Sequence, residues 1–201
     1  LYSGYCPREM QVKYAGTMNR RTLFASISCA LALGFPTDGK QKPGAGYVVR
    51  SVEESALRTE AAIRERIRKP EGELTPKDFE RVTHLSLEGM GLTDVSSLAK
   101  LTRIRSLNLN YNEISDLSPL AGLVELEKLH LGSNQITNLR PLGTLKKLKF
   151  VLLFRNQISD LSPVANWSQA EHLALYCNPV FDIRPLHALA RLNKVKLQGN
   201  P

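Results

Sequence analysis

"IRSLNLNYNEISDLSPLAGLVE", residues 104–125, decides the fold. Large apolar residues stand at positions 1, 4, 6, 11, 14, 17 and 20 of this stretch: Ile104, Leu107, Leu109, Ile114, Leu117, Leu120 and Leu123. The same pattern returns every 22 residues, from Val82, Ile104, Leu126, Leu148, Ala170 and Leu192. Five full repeats and a partial sixth supply 38 such positions, and only Ala170 is not large, so random drift is no explanation. The ninth residue is Met90 in the first repeat and then Asn112, Asn134, Asn156, Asn178 and Asn200.

Each repeat has room for one short strand around positions 3–7, pairing in parallel with its counterpart in the next repeat. The return leg is too short for a long helix and is expected to be extended or 3₁₀. Positions 4 and 6 then face the core, and positions 3, 5 and 7 face outward. The ninth-position asparagines sit where the chain turns inward. Their amides can satisfy backbone groups that would otherwise be buried unpaired, so they are read as a structural ladder. Met90 interrupts that ladder in the first repeat, where the preceding segment can compensate. Asp94, Asp116, Asp160 and Asp182, with Asn138 in the same slot, are expected to cap the turn on the opposite side. Trp167 replaces leucine at position 20 and Ala170 follows, a large residue beside a small one, which reads as volume compensation in the core.

Upstream, Ser51 with Glu54 forms a capping box, and Ala56, Ile63 and Ile67 recur near helical spacing until Pro70. Thr75-Pro76 opens a second, short helix, with Leu74 and Phe79 placed as a hydrophobic staple. Residues 51–81 are therefore read as a helical cap over the first apolar face of the array at 82–201. Residues 33–50, rich in Gly, Pro and Lys, read as a linker. Gly34 and Gly39-Lys40 within this region imitate a phosphate-binding loop, but Gln41 stands where Ser or Thr is needed, and Pro43 blocks the helix. Residues 18–32 hold two arginines, a weakly apolar run too short to span a bilayer, and Ala30-x-Ala32, the order of a secretory signal peptide. Residues 1–17 carry no signal of their own. Three widely spaced cysteines give no disulfide framework, and cleavage near Ala32 would leave Cys177 alone.

The spacing L-x-x-L-x-L-x-x-N-x-I-x-D-L-x-P-L resembles the leucine-rich repeat family. The turn "SDLSPLAGL" (115–123) is similar to the 22-residue class found in bacterial internalins and in eukaryotic phosphatase-regulator repeats. The lead-in "IRKPEGELTPKDFERVTHLSL" (67–87) is similar to the cap of exported bacterial members. The resemblance covers about residues 52–201. The fold class it implies is α/β: a solenoid with a curved parallel sheet on the concave face, 3₁₀ or extended turns on the convex face, and a short helical cap.

Outward positions 3, 5 and 7 carry His84, Ser86 and Glu88 in the first repeat and Ser106, Asn108 and Asn110 in the second. Lys128, His130 and Gly132 follow, then Phe150, Leu152 and Phe154, then His172, Ala174 and Tyr176, and finally Lys194, Lys196 and Gln198. An apolar patch rimmed by polar groups is the signature of a protein-binding surface. Phe150, Leu152, Phe154 and Tyr176 are its candidate anchors, with His130 and His172 beside them. Lys128, Arg155, Lys194 and Lys196 favour acidic surroundings on the partner. Self-association through the same patch stays open.

The remaining signals exclude more than they assign. Net charge is +8; four basic residues and one acid precede residue 33, so the rest carries a mild +5. Scattered basic residues without an aromatic-basic pattern give no nucleic-acid signature. His84, His130 and His172 recur every second repeat, about 10 Å apart at ordinary strand spacing, too far to share a metal ion. No nucleophile–base or metalloprotease motif is present, and no cofactor, metal or catalytic residue is expected. The expected function is a non-enzymatic, exported protein-binding domain. The alternatives are an intracellular phosphatase-regulator-like adaptor, if 18–32 is not cleaved, and a recognition module of a longer receptor or enzyme, since the sequence stops at Asn200-Pro201 within a repeat.

Overall fold

The computed structural model describes residues 51–201. The stretch 1–17, the expected signal peptide at 18–32 and the linker at 33–50 lie outside the described residues. Six strands form one parallel sheet in sequence order: β1 (His84–Ser86), β2 (Ser106–Asn108), β3 (Lys128–His130), β4 (Phe150–Leu152), β5 (His172–Ala174) and β6 (Lys194–Lys196). The register follows the sequence period, so Leu85, Leu107, Leu129, Val151, Leu173 and Val195 stand in one row. The ladder spans positions 3–5, shorter than the 3–7 expected. A left-handed residue at position eight ends the pleat in every repeat: Gly89, Tyr111, Ser133, Arg155, Cys177 and Gly199 all have φ between 52° and 72°.

The return legs are 3₁₀ turns at Ser96–Lys100, Ser118–Leu120, Arg140–Thr144, Ser162–Asn166 and Arg184–Ala188. An Asx turn opens each one: Asp94, Asp116, Asn138, Asp160 and Asp182 accept through Oδ1 from the backbone N–H two residues on. Between sheet and turns the apolar positions of the repeats form a single buried core. Trp167 and Ala170 are fully buried in it, and the Trp167 indole N–H donates to the Leu142 carbonyl at 2.9 Å. At the far end β6 is the edge strand, and there Val195 is 41% exposed and Ile183 46%, although both occupy core positions of the repeat.

The asparagines work with a direction. Asn134 Nδ2 donates to the carbonyls of Leu131 in its own repeat and Leu109 in the repeat before, each at 3.0 Å. Its Oδ1 accepts from the N–H of Ile114, also in the repeat before. Asn112, Asn156, Asn178 and Asn200 repeat this pattern. Each side chain thus closes the preceding repeat as well as its own. Among the described residues no strand precedes the first repeat, so Met90 has no earlier carbonyl to serve.

Helix α1 (Val52–Ile67) covers that end of the array. Arg58 donates to the Met90 carbonyl and Arg66 to the His84 carbonyl on β1. Ser55 Oγ accepts from the N–H groups of Thr93 and Asp94. This corrects the expected stripe. The buried face is Ser55, Thr59, Ile63 and Ile67, while Ala56 is only half-buried, because the hydroxyl of Ser55 is needed against the first turn. Helix α2 (Pro76–Glu80) follows, with Leu74 and Phe79 packed on the core. Lys69, and the N–H and hydroxyl of Thr75, all donate to the Asp78 carboxylate and hold its pKa far below the ordinary carboxylate range.

Asn134→Ala strands one buried N–H and two or more buried carbonyls, each costing about 1–3 kcal/mol. A loss of at least about 3 kcal/mol in denaturant unfolding is expected. Met90→Asn, with no preceding strand among the described residues to serve, should leave the unfolding midpoint unimproved.

Candidate functional site

The exposed sheet face is built from positions three, five, seven and eight of successive repeats. Its apolar part centres on β4. Phe150 and Leu152 are half-buried there, standing at positions that β2 fills with Ser106 and Asn108. The ammonium of Lys128 lies over the Phe150 ring, 5.4 Å from its centroid, and His172 meets the other side edge-on at 6.3 Å.

Position seven departs from the expectation of an outward side chain. Phe154 is only 7% exposed, and Asn110 is equally buried, its Oδ1 accepting from the Gly132 N–H at 2.7 Å. Where the left-handed residue ends the pleat, the Phe154 ring lies back over Gly132, and a Cβ there would overlap it. Tyr176 stacks parallel to Phe154, with centroids 4.8 Å apart, and Tyr111 packs edge-on at 6.1 Å. Phe154 is thus the covered centre of an aromatic row from three repeats, not a free anchor. Ala174 is buried as well. Phe150, Leu152, Tyr176 and Tyr111 keep surface open to solvent.

Of the other sequence-derived site residues, Lys128, Lys194 and Lys196 are exposed, and His130, His172 and Arg155 are half-buried. The stretch of this face from β3 to β6 contains no carboxylate. Glu88, beyond the end of β1, accepts from Asn108 at 2.7 Å. Burial lowers the pKa of His130, with Lys128 and His172 acting in the same sense and Glu88 opposing. Burial also lowers that of His172, with help from Lys194 and Lys196. The Nε2 of His172 and the Oγ of Ser133 are buried without hydrogen-bond partners.

One feature was missed in the sequence. Positions 22 and 2 of the repeat alternate in sign along one edge: Arg103 and Arg105, then Glu125 and Glu127, then Lys147 and Lys149. Lys147 pairs with Glu125 at 2.7 Å and Lys149 with Glu127 at 2.8 Å, holding both glutamates below their usual pKa. The columns were legible, but only strand positions were read across repeats. Among the described residues no three His, Cys, Asp or Glu approach closely enough to hold a metal ion, and no helix is long and apolar enough to cross a membrane.

Comparison with known proteins places this architecture. A family model described as leucine-rich repeats in two copies matches residues 80–122 and 124–166. An internalin, InlF, from Listeria monocytogenes is similar at 26% identity and a TM-score of 0.52, the match covering 70% of this chain and 54% of that one. Internalin C2 from the same organism matches at 25% identity and a TM-score of 0.47, covering 71% of this chain and 92% of that one. A leucine-rich repeat protein from Leptospira interrogans matches at 26% identity and a TM-score of 0.49, covering 52% of this chain and 28% of that one. The chain spans about half the length of the first of these. No curated protein sequence matches it.

Gly132→Ala forces the Phe154 ring out of its stack, at a cost of about 1–3 kcal/mol in unfolding free energy and with a changed near-ultraviolet circular dichroism spectrum. The histidines give a pH dependence. Their pKa values are lowered by folding, so the unfolded chain binds more protons, and the stability they contribute is complete above about pH 6.5 and lost as pH falls further. Thermal midpoints measured from pH 7.5 down to 5.5 should fall less steeply in His130→Gln/His172→Gln than in the wild type.

Proposed function

We propose that this leucine-rich repeat chain, of the 22-residue class resembling the internalins, is a protein-binding module whose sheet face takes a segment with an apolar side chain set among carboxylates. Leucine-rich repeat proteins are in general non-enzymatic interaction modules, and the matching family points to no enzyme. One observation carries the finer reading: from β3 to β6 the face combines an apolar floor with Lys128, Lys194 and Lys196 and no carboxylate. Phe150 and Leu152 are the anchors, and Tyr176 extends the floor. Phe154 acts beneath it, since its ring is already covered by Tyr111, Tyr176 and the backbone of Gly132.

Aromatic and aliphatic groups held by neighbours lose little conformational freedom on binding, so their desolvation goes largely into affinity. The lysines steer an acidic partner and disfavour a second copy of this chain, which would present the same basic face to itself in a two-fold pairing. Export of the mature domain completes the proposal. It is supported by the charge, apolar run and small-residue order of residues 18–32 and by the similarity to an internalin.

Selection of peptides from a random displayed library against the immobilised chain tests the binding face. The expected ligands carry a large apolar residue flanked by Asp or Glu. They should lose at least about thirtyfold in affinity on Phe150→Ser, as for an interface hot spot, with an unchanged melting temperature. Ligands indifferent to Phe150 and Leu152 would overturn the assignment, and a large drop in melting temperature would show that these side chains serve the core instead. Expression from Met18 in a bacterial host should give a mature chain starting near residue 33; a product that keeps 18–32 would refute export.

A further inference from the structure

His172 is an unsatisfied and titratable group on this face. Its Nε2 is shielded from solvent and has no hydrogen-bond partner. Its neighbours give it no counter-charge. Strand β4 offers the Phe150 ring and Leu152, and β6 offers Lys194 and Lys196, both cationic. Across β4, strand β3 adds Lys128 and His130. On β5 itself Glu171 precedes His172, but at position two it lies on the opposite side of the strand, in the edge row that holds Glu127 and Lys149. The acid on the same face is Glu88, four strands and so more than about 19 Å away at ordinary strand spacing, and already bonded to Asn108. A buried polar group left unpaired costs stability, and a neutral imidazole beside two ammonium groups is one proton short of a favourable pairing with an anion.

We propose that the partner segment sets its apolar side chain on Phe150 and Leu152 and places a carboxylate against His172, Lys194 and Lys196, so that formation of the complex takes up one proton at His172. This rests on the protein-binding role of the face proposed above. The balance is simple: the free imidazole is neutral, the bound one is imidazolium, and the proton comes from solvent. Because Nε2 is shielded, the carboxylate acts on the imidazole, held edge-on by the Phe150 ring, through its charge, which favours the protonated form. The two lysines oppose protonation in the free chain and are themselves neutralised by the same anion in the complex, which reverses the electrostatic bias on His172. Binding is then tighter in mildly acidic than in mildly alkaline solution.

The probe is a peptide selected on the wild-type chain as described above, with its affinity measured by calorimetry from pH 8 to pH 6 in two buffers of different ionisation enthalpy. The expected result is a gain in affinity of up to about tenfold per unit of pKa change, with net proton uptake approaching one near neutral pH. His172→Gln should flatten the pH profile and abolish proton uptake while Phe150 dependence remains. Lys194→Met should weaken binding at every pH. A selected, Phe150-dependent peptide with a flat profile overturns this inference alone. A pH dependence that survives His172→Gln and disappears in His130→Gln also overturns it. Failure to select any Phe150-dependent peptide overturns the underlying binding role, and this inference with it.

Discussion

A buried amide at the inward turn of each repeat is the interaction on which the stack depends. The turn is enclosed by core side chains, so its N–H and C=O groups have no access to water and need partners within the protein. The asparagine at position nine provides them, with one donor group for two carbonyls and one acceptor for an N–H in the repeat before. Each repeat is therefore completed by the next one, and stability is shared between nearest neighbours. Among the described residues the first repeat has no strand before it, so Met90 suffices there, and α1 closes the exposed backbone with Arg58, Arg66 and Ser55.

The same turn fixes what the sheet face can display. Bringing the asparagine inward requires a left-handed residue just before it, a conformation that costs a side-chain-bearing residue about 1–2 kcal/mol. Glycine meets this requirement in the first and sixth repeats. Tyr111, Ser133, Arg155 and Cys177 meet it in between, where the N–H of each donates to the next repeat's position-seven carbonyl. That turn ends the pleat after a short strand. Side chains at position seven then lie among those of neighbouring repeats, which is why Phe154 is covered while Phe150 and Leu152, earlier on the same strand, stay accessible.

Charge is distributed in two ways across the stack. Along one edge the signs alternate from repeat to repeat and cancel in short ion pairs, Lys147 with Glu125 and Lys149 with Glu127. Exposed pairs of this kind contribute little each. On the sheet face from β3 to β6 Lys128, Lys194 and Lys196 stand with no carboxylate on the same strands' outward positions, and burial, with nearby cations, lowers the pKa of His130 and His172, Glu88 opposing at His130. An apolar floor within a basic rim is the arrangement on which the proposed binding role rests.

The sequence by itself determined the repeat length, the parallel register, the core positions, the asparagine ladder and the Asx turns. Each is set by local spacing, and a 22-residue period admits one way of stacking strands in register. It also marked Phe150, Leu152 and the lysines around them, because reading equivalent positions across repeats shows where polar residues give way to apolar ones. Only the tertiary structure decided that Phe154 lies beneath the face. Its burial depends on Gly132 one repeat before, Tyr176 one repeat after and Tyr111 two repeats before, none adjacent to it in the chain. The rotation of α1 was likewise decided by tertiary structure, since Ser55 faces inward to meet N–H groups of Thr93 and Asp94. Alternation along a strand states which side a residue leaves from, but packing between repeats determines whether it still reaches solvent.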